Sequence, residues 1–344
     1  VVVVGAGFAG LASALELARA GVRVAVLEAD SVGAGASGHT GGIALEGTAI
    51  GLLDQVDDCL AALVRVTERT GIDCGLDLRG CLELAHDAPH EDAPPLWRDG
   101  EGALWIADTV PGGTVDAGLV LGALAHGAVA AGATIHAPRR VVRIDAGGRE
   151  LRVQTSEHTI TAGRAVMAVN AYTPTLLHLP VDLRPVLTLA VATGPLERDT
   201  LARIGLGERL PFYTQDLPYL WGRPLAGDRL MFGAGLVFPS GHDVRATDVR
   251  EDAARSAFAT LESRIVGLHP ALGRVAIERR WGGPISFVPG RAPVLSTLPD
   301  DPRIVVTGGC SGHGVALSIR LGEIVAGHVT TGRPLPEWGR LPRA

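Results

Sequence analysis

The chain opens on a strand, a glycine-rich turn and a helix, and this triplet constrains its fold more than any other feature. Val1 to Val4 is an unbroken β-branched run, the pattern of a short strand buried on both faces. Gly5-Ala-Gly7-Phe-Ala-Gly10 follows, then Leu11, Leu15 and Leu17 at helical spacing, closed by Gly21. Val22 to Leu27 reads as a second strand, ending at Glu28. Together they predict a βαβ unit with G-x-G-x-x-G at its first turn. Gly5 permits the tight turn, Gly7 lets the backbone approach a pyrophosphate, and Gly10 lets helix and strand pack closely. The helix N-terminus faces the anion, and Glu28 stands about 20 residues on, where a carboxylate bonds a ribose. A Rossmann-like dinucleotide site in an α/β (α+β) chain is the expectation.

With 344 residues, 47% of them hydrophobic, the chain can fill one large domain or two interleaved ones. A net charge of −6 argues against nucleic acid as a partner. All of the basic side chains besides histidine are arginine, so no protein lysine is available for Schiff-base chemistry. Cys59, Cys74, Cys81 and Cys310 show no metal-ligand spacing and read as reduced thiols of a cytoplasmic protein. Glu16, Arg19 and several glycines interrupt the apolar N-terminal run. A membrane helix needs about 20 predominantly apolar residues, so no span is expected. The run does not read as a signal peptide either. The first residue is Val1 rather than methionine, which implies that further residues precede it.

Two more glycine clusters narrow the cofactor. Gly35-Ala-Ser-Gly-His-Thr-Gly-Gly42 lies just past the second strand. Near the far end, Arg303 to Thr307 reads as a strand, followed by Gly308-Gly-Cys-Ser-Gly-His-Gly314 and a helix from Val315 to Val329. A second glycine loop entering a helix N-terminus suits a flavin, because its amides stabilise negative charge on the reduced ring. FAD is therefore expected rather than a nicotinamide.

Six stretches carry a family resemblance: VVGAGFAGLASALELARAG with LEAD, GASGHTGG, PGGTVDAGLVLGALAHGAVAAGATI, AVNAYTP, RWGGPISF and TGGCSGHGVALSIRLGEIVAG. Through them the chain resembles the FAD-dependent amine and amino-acid oxidases of the D-amino-acid oxidase superfamily. It is most similar to the γ-glutamylputrescine oxidase and sarcosine oxidase-like branches. The resemblance implies an FAD domain of residues 1–75, 125–185 and 285–344, interleaved with a mixed-sheet substrate domain of residues 76–124 and 186–284. It assigns Gly5, Gly7, Gly10, Glu28, Ser37, Gly38, His39, Gly41, Gly42, Val141, Asn170, Gly309, Gly312, His313, Gly314 and Val315 to the cofactor. Relatives carry extra helices where this chain has only Ala88 to Gly102, which implies a more open site or an absent piece.

The same resemblance implies that the flavin performs the redox step while the protein orients an amine. His313 matches a histidine beside the flavin in sarcosine oxidases. Those enzymes hold the substrate carboxylate with an arginine and a lysine, whose matching positions here read Leu45 and Ala316. The corresponding arginine of glycine oxidases is Gly283 here. A carboxylate left without a cation in such a pocket is costly, so the expected substrate is an amine without an α-carboxylate. Glu46 is a candidate to attract its ammonium group, and Arg223 to hold a distant carboxylate or phosphate. O2 or another acceptor takes the electrons, since the lysine that sarcosine oxidases place near the flavin is absent. His39 matches either an arginine that only contacts FAD or, in dimethylglycine dehydrogenases, a histidine bonded covalently to it. Non-covalent FAD is the favoured reading and a histidyl link through His39 the alternative. Two other functions stay open: an FAD-dependent desaturase acting on a bulky or carrier-bound intermediate, and a flavoprotein electron-transfer component.

Overall fold

The computed structural model describes residues 1–97, 100–102, 104–197, 199–216, 219–238, 252–288, 290 and 292–342. Its helices are α1 (Phe8–Arg19), α2 (Ala36–His39), α3 (Cys59–Thr70), α4 (Ala117–Ala130), α5 (Thr200–Arg203), α6 (Asp252–Leu268) and α7 (Gly314–Thr331). The β-branched N-terminal run becomes strand Val2–Val4 at the interior of a six-stranded sheet. The order is Val294–Thr297, Ile304–Gly308, Ala165–Met167, Val2–Val4, Ala25–Leu27, Thr134–His136. All pairs are parallel except the first. Both faces are covered, which is why its strands read as continuous apolar runs. On one face lie α1, α3, α4 and α7, with Leu11, Leu63, Leu124 and Leu321 buried among them. Gly322 lets α7 approach α1, since a Cβ there would lie 2.6 Å from that of Ala12.

A seven-stranded sheet forms the second unit, ordered Ile277–Phe287, Arg184–Thr193, Arg229–Val237, Trp221–Leu225, Phe212–Thr214, Cys81–Ala85, Trp105–Val110. It is antiparallel apart from the pairing of Phe212–Thr214 with Cys81–Ala85. Leu84, Phe212, Phe232 and Leu189 point from one face into a core shared with α6. The alternate residues Glu83, Tyr213 and Trp221 point the other way, towards the cavity described below.

Three boundaries of the division implied by the sequence fall inside continuous elements. Residue 124 lies inside α4, which packs against α1 and is one continuous helix capped by Asp116, whose Oδ1 accepts the Leu119 amide at 2.9 Å. Strand Gly112–Thr114 already pairs with Ile43–Leu45, so the chain returns to the nucleotide unit before α4 begins. Residue 284 lies inside strand Ile277–Phe287, and Pro185 inside strand Arg184–Thr193. Both strands run on because they pair with each other over nearly their whole length.

An ion network ties α3 to α7. Arg65 forks onto Glu323 at 2.9 and 2.6 Å, and Arg320 reaches Glu323 at 3.0 Å and Asp58 at 2.6 Å. Burial opposes ionisation of Glu323, but Arg65 and Arg320 outweigh it and hold the carboxyl below its ordinary range. The four cysteines are buried and free. Among the described residues no helix is long and apolar enough to cross a membrane.

Candidate active site

A cavity of about 910 Å³ lies between the two sheets and is lined by both. That is large for a small-molecule site, which typically spans about 300–1,000 Å³. One end is built from the βαβ unit. Gly5, Gly7 and Phe8 line it at the start of α1, whose first-turn amides have no partner within the helix. Ser37 takes one of them, its Oγ accepting the Phe8 amide at 3.1 Å. Glu28 accepts the amides of Ala6 at 2.8 Å and Asp30 at 3.0 Å, which fixes the carboxylate at the cavity wall. Arg140 and Val141 close this end. Gly10 lies outside the lining and serves packing, since a Cβ there would overlap the Gly5 carbonyl oxygen. Gly38 likewise meets the Gly33 carbonyl, at 2.5 Å from an added Cβ.

The other end is built from the remaining glycine clusters. Asn170 adopts a left-handed backbone with φ 43°, which asparagine tolerates better than most residues. Its Oδ1 accepts from Ser286 Oγ at 2.6 Å and from the Gly309 amide at 3.1 Å. The Gly309 amide also reaches Ser286 Oγ at 3.1 Å, so this triangle sets the loop that enters α7. Gly309 itself (φ 71°) does not line the cavity, whereas Gly312 (φ 93°), His313, Gly314 and Val315 do. His39, exposed at the end of α2, has Nδ1 2.9 Å from the Gly35 carbonyl oxygen. Gly41 lines the cavity and is so closely covered by Trp221 that an added Cβ would overlap the indole. Gly42 (φ 67°) lies behind the wall against the Val115 carbonyl.

These residues fit a flavin dinucleotide: two helix N-termini and a ribose-type carboxylate frame one long cavity, and glycines make the close approaches. Sequence comparison agrees. Residues 1–327 match the DAO family of FAD dependent oxidoreductases. The chain belongs to that family.

Gamma-glutamylputrescine oxidoreductase of Escherichia coli is 28% identical over 367 residues, covering 95% of this chain and 82% of that protein. The probable oxidoreductase OrdL of Haemophilus influenzae is 26% identical over 370 residues, covering 95% and 81%. Among solved structures, glycine oxidase from Geobacillus kaustophilus superposes with a TM-score of 0.79 at 22% identity, covering 100% of this chain and 98% of that one. The oxidoreductase therefore has the family's fold as well as its motifs.

Two residues proposed for substrate do other work in this FAD-dependent oxidoreductase. Glu46 borders the cavity, but its carboxylate caps α3: Oε1 accepts the amides of Cys59 at 2.5 Å and Gly47 at 3.2 Å, and Oε2 that of Leu60 at 3.2 Å. The reason is that Asp58, at the cap position, makes no side-chain cap bond. Burial, reinforced by Glu46, pushes the Cys59 thiol up to about 12. Arg223 lies outside the lining and clasps the glycine loop, its Nη1 donating to the carbonyls of Val115 at 3.1 Å and Gly42 at 3.3 Å. Burial lowers its guanidinium below the ordinary arginine value. Leu45 lines the cavity, whereas Ala316 is buried in the core and Val315 and Ser318 face the cavity from α7.

The sequence reading missed the wall that the second sheet contributes. Glu83, Tyr213 and Trp221 line the cavity from the seven-stranded sheet, and Gln215 and Tyr219 line it from just outside its strands. Tyr213 donates to Glu83 Oε1 at 3.1 Å, and its ring meets that of Tyr219 edge-on at 6.4 Å. Ser286 was quoted only as part of a motif, with nothing to mark it as the bridge to Asn170.

Proposed function

We propose that this enzyme oxidises an amine that carries no carboxylate on the reacting carbon. The observation that supports this most is the charge of the cavity wall. Among the described residues, Arg140 is the one arginine lining it, and Arg140 adjoins Val141 at the nucleotide end. With no lysine in the chain, an α-carboxylate held against the substrate-side wall would be desolvated without a cation. Tyr213, Tyr219 and Trp221 instead offer apolar faces to an alkyl chain.

FAD bound here would supply a two-electron acceptor for the hydride of the α-C–H bond, turning the C–N bond into an imine that water would hydrolyse. The protein's share is placement. Gly5, Gly7, Glu28, Ser37 and Val141 hold the nucleotide. The α7 N-terminus, with Gly312, His313, Gly314 and Val315, sets its amides against developing negative charge. His313, which lines the cavity, would neighbour the ring, and the FAD would be held without a covalent bond. O2 or another acceptor then takes the electrons.

Anaerobic mixing of the holoenzyme with primary and secondary amines, and separately with glycine, sarcosine and other α-amino acids, tests this reading. Amines are expected to bleach the flavin and α-amino acids to leave it yellow. Bleaching by the amino acids alone would overturn it.

A further inference from the structure

Among the described residues four carboxylates line the cavity, and position or bonding accounts for three of them. Glu28 and Asp30 stand at the nucleotide end, and Glu46 caps α3. Glu83 is the fourth. It projects from the middle of strand Cys81–Ala85, half-buried, and among the described residues it forms no ion pair.

The register of the sheet explains its setting. Tyr213 pairs directly with Glu83 on one side and with Trp221 on the other, and Trp221 pairs with Gly233. Directly paired residues share a face, so carboxylate, phenol and indole form one row across three strands. Gly233 has no side chain to obstruct the indole; a Cβ there would overlap it. Burial, and then the charge of Glu83, raise the Tyr213 pKa, so the phenol stays neutral and donates to the carboxylate. On the outer strand, Asp108 stands opposite Glu83 and adds negative potential.

Taking the amine-oxidation reading as given, we propose that Glu83, held by Tyr213, binds a second and positively charged nitrogen of the substrate, so that diamines are preferred over monoamines. The reacting nitrogen must be neutral, because its lone pair forms the C=N bond. A carboxylate beside that nitrogen would hold it protonated and block the reaction. An anion on the wall therefore serves the remote end, where a permanent ammonium is an asset. The carbon chain between the two nitrogens lies along Trp221 and Tyr219, whose ring faces also attract a cation.

The test uses the holoenzyme, Glu83→Gln and Tyr213→Phe with 1,4-diaminobutane and butylamine. The non-oxidisable dication 1,4-bis(trimethylammonio)butane is titrated in parallel, read by the perturbation of flavin absorbance. Loss of a charge-assisted contact predicts that Glu83→Gln raises KM for the diamine by about 10- to 100-fold. The diamine kcat stays within about twofold, and KM for butylamine shifts by far less than that for the diamine. Tyr213→Phe leaves the charge but frees it, so the diamine KM rises by less. Dication binding weakens in parallel with the diamine KM. If amines bleach the flavin but diamine and monoamine behave alike in wild type and Glu83→Gln, the cation site is wrong and amine oxidation stands. If no amine bleaches the flavin while the dication still binds through Glu83, the site stands and the amine reaction falls. Glu83-independent binding of the dication, without bleaching, removes both.

Discussion

Trp281 donates from its indole Nε1 to the backbone carbonyl of His39 at 3.0 Å. The contact joins an edge strand of the substrate-side sheet to the glycine loop of the nucleotide unit. Two residues on, Gly283 lies under the same histidine, where an added Cβ would come within 3.2 Å of His39 Cβ. The two units are thus registered at the loop assigned to FAD. Trp281→Phe keeps most of the packing and removes the donor, a loss of about 1 kcal/mol. Fluorescence titration of the apoprotein should show FAD affinity falling by roughly fivefold.

Gly41 is a tight point of that loop. An alanine methyl there would overlap the Trp221 ring, which is itself confined by Gly233 on the other side. Overpacking of this kind costs about 1–3 kcal/mol. Gly41→Ala is expected to lower Tm and to purify with less bound flavin, and adding Trp221→Leu should restore the Tm in part. Gly122 in α4 provides the contrast, with open space around an added Cβ. Gly122→Ala should raise stability by up to about 1 kcal/mol, since alanine is the better helix former. Differential scanning fluorimetry reads both.

The Arg65–Glu323–Arg320 cluster makes stability depend on pH in a defined direction. The folded pKa of Glu323 lies below its ordinary value near 4.5, so its contribution is complete above that value and fades as pH falls through the folded one. Glu323→Gln breaks a largely buried pair and should cost about 1–3 kcal/mol at neutral pH. Urea denaturation at a series of pH values should show the gap between wild type and variant narrowing below about pH 4.5. A gap that widens towards acid would contradict the assignment.

The parts that could be read from the sequence are those whose partners lie nearby in the chain. Gly5, Gly7, Gly10 and Glu28 fall within one βαβ unit, so spacing alone announces their geometry. The capping by Glu46 was not legible because the helix it caps begins at Cys59, and no local pattern tells whether a carboxylate there meets a ligand or a helix end. The clasp made by Arg223 was hidden for a stronger version of the same reason: Gly42, its partner, is distant in sequence and meets it only once two sheets close on each other. Glu83 and Tyr213 left no signal at all. Their pairing depends on a parallel strand register between distant segments, which period-two alternation does not encode. The implied boundary at residue 284 falls inside a strand, Ile277–Phe287, whose length is set by its pairing with the distant segment Arg184–Thr193.

His39 offers the sharpest remaining contrast between two chemistries. If Nδ1 carries the proton it donates to Gly35, and Nε2 is left with the lone pair that a covalent flavin bond would require. The side chain lines the cavity, so proximity does not separate a contact from a bond. Its exposure and its place at the end of a four-residue helix argue for contact, because little rigid structure aims the ring. Acid precipitation of the holoenzyme should therefore leave the yellow colour in the supernatant. His39→Ala should still bind FAD, with affinity reduced by about tenfold or less for the loss of one polar contact. Colour retained in the acid pellet of wild type, and lost from it in His39→Ala, would establish the covalent histidyl link instead.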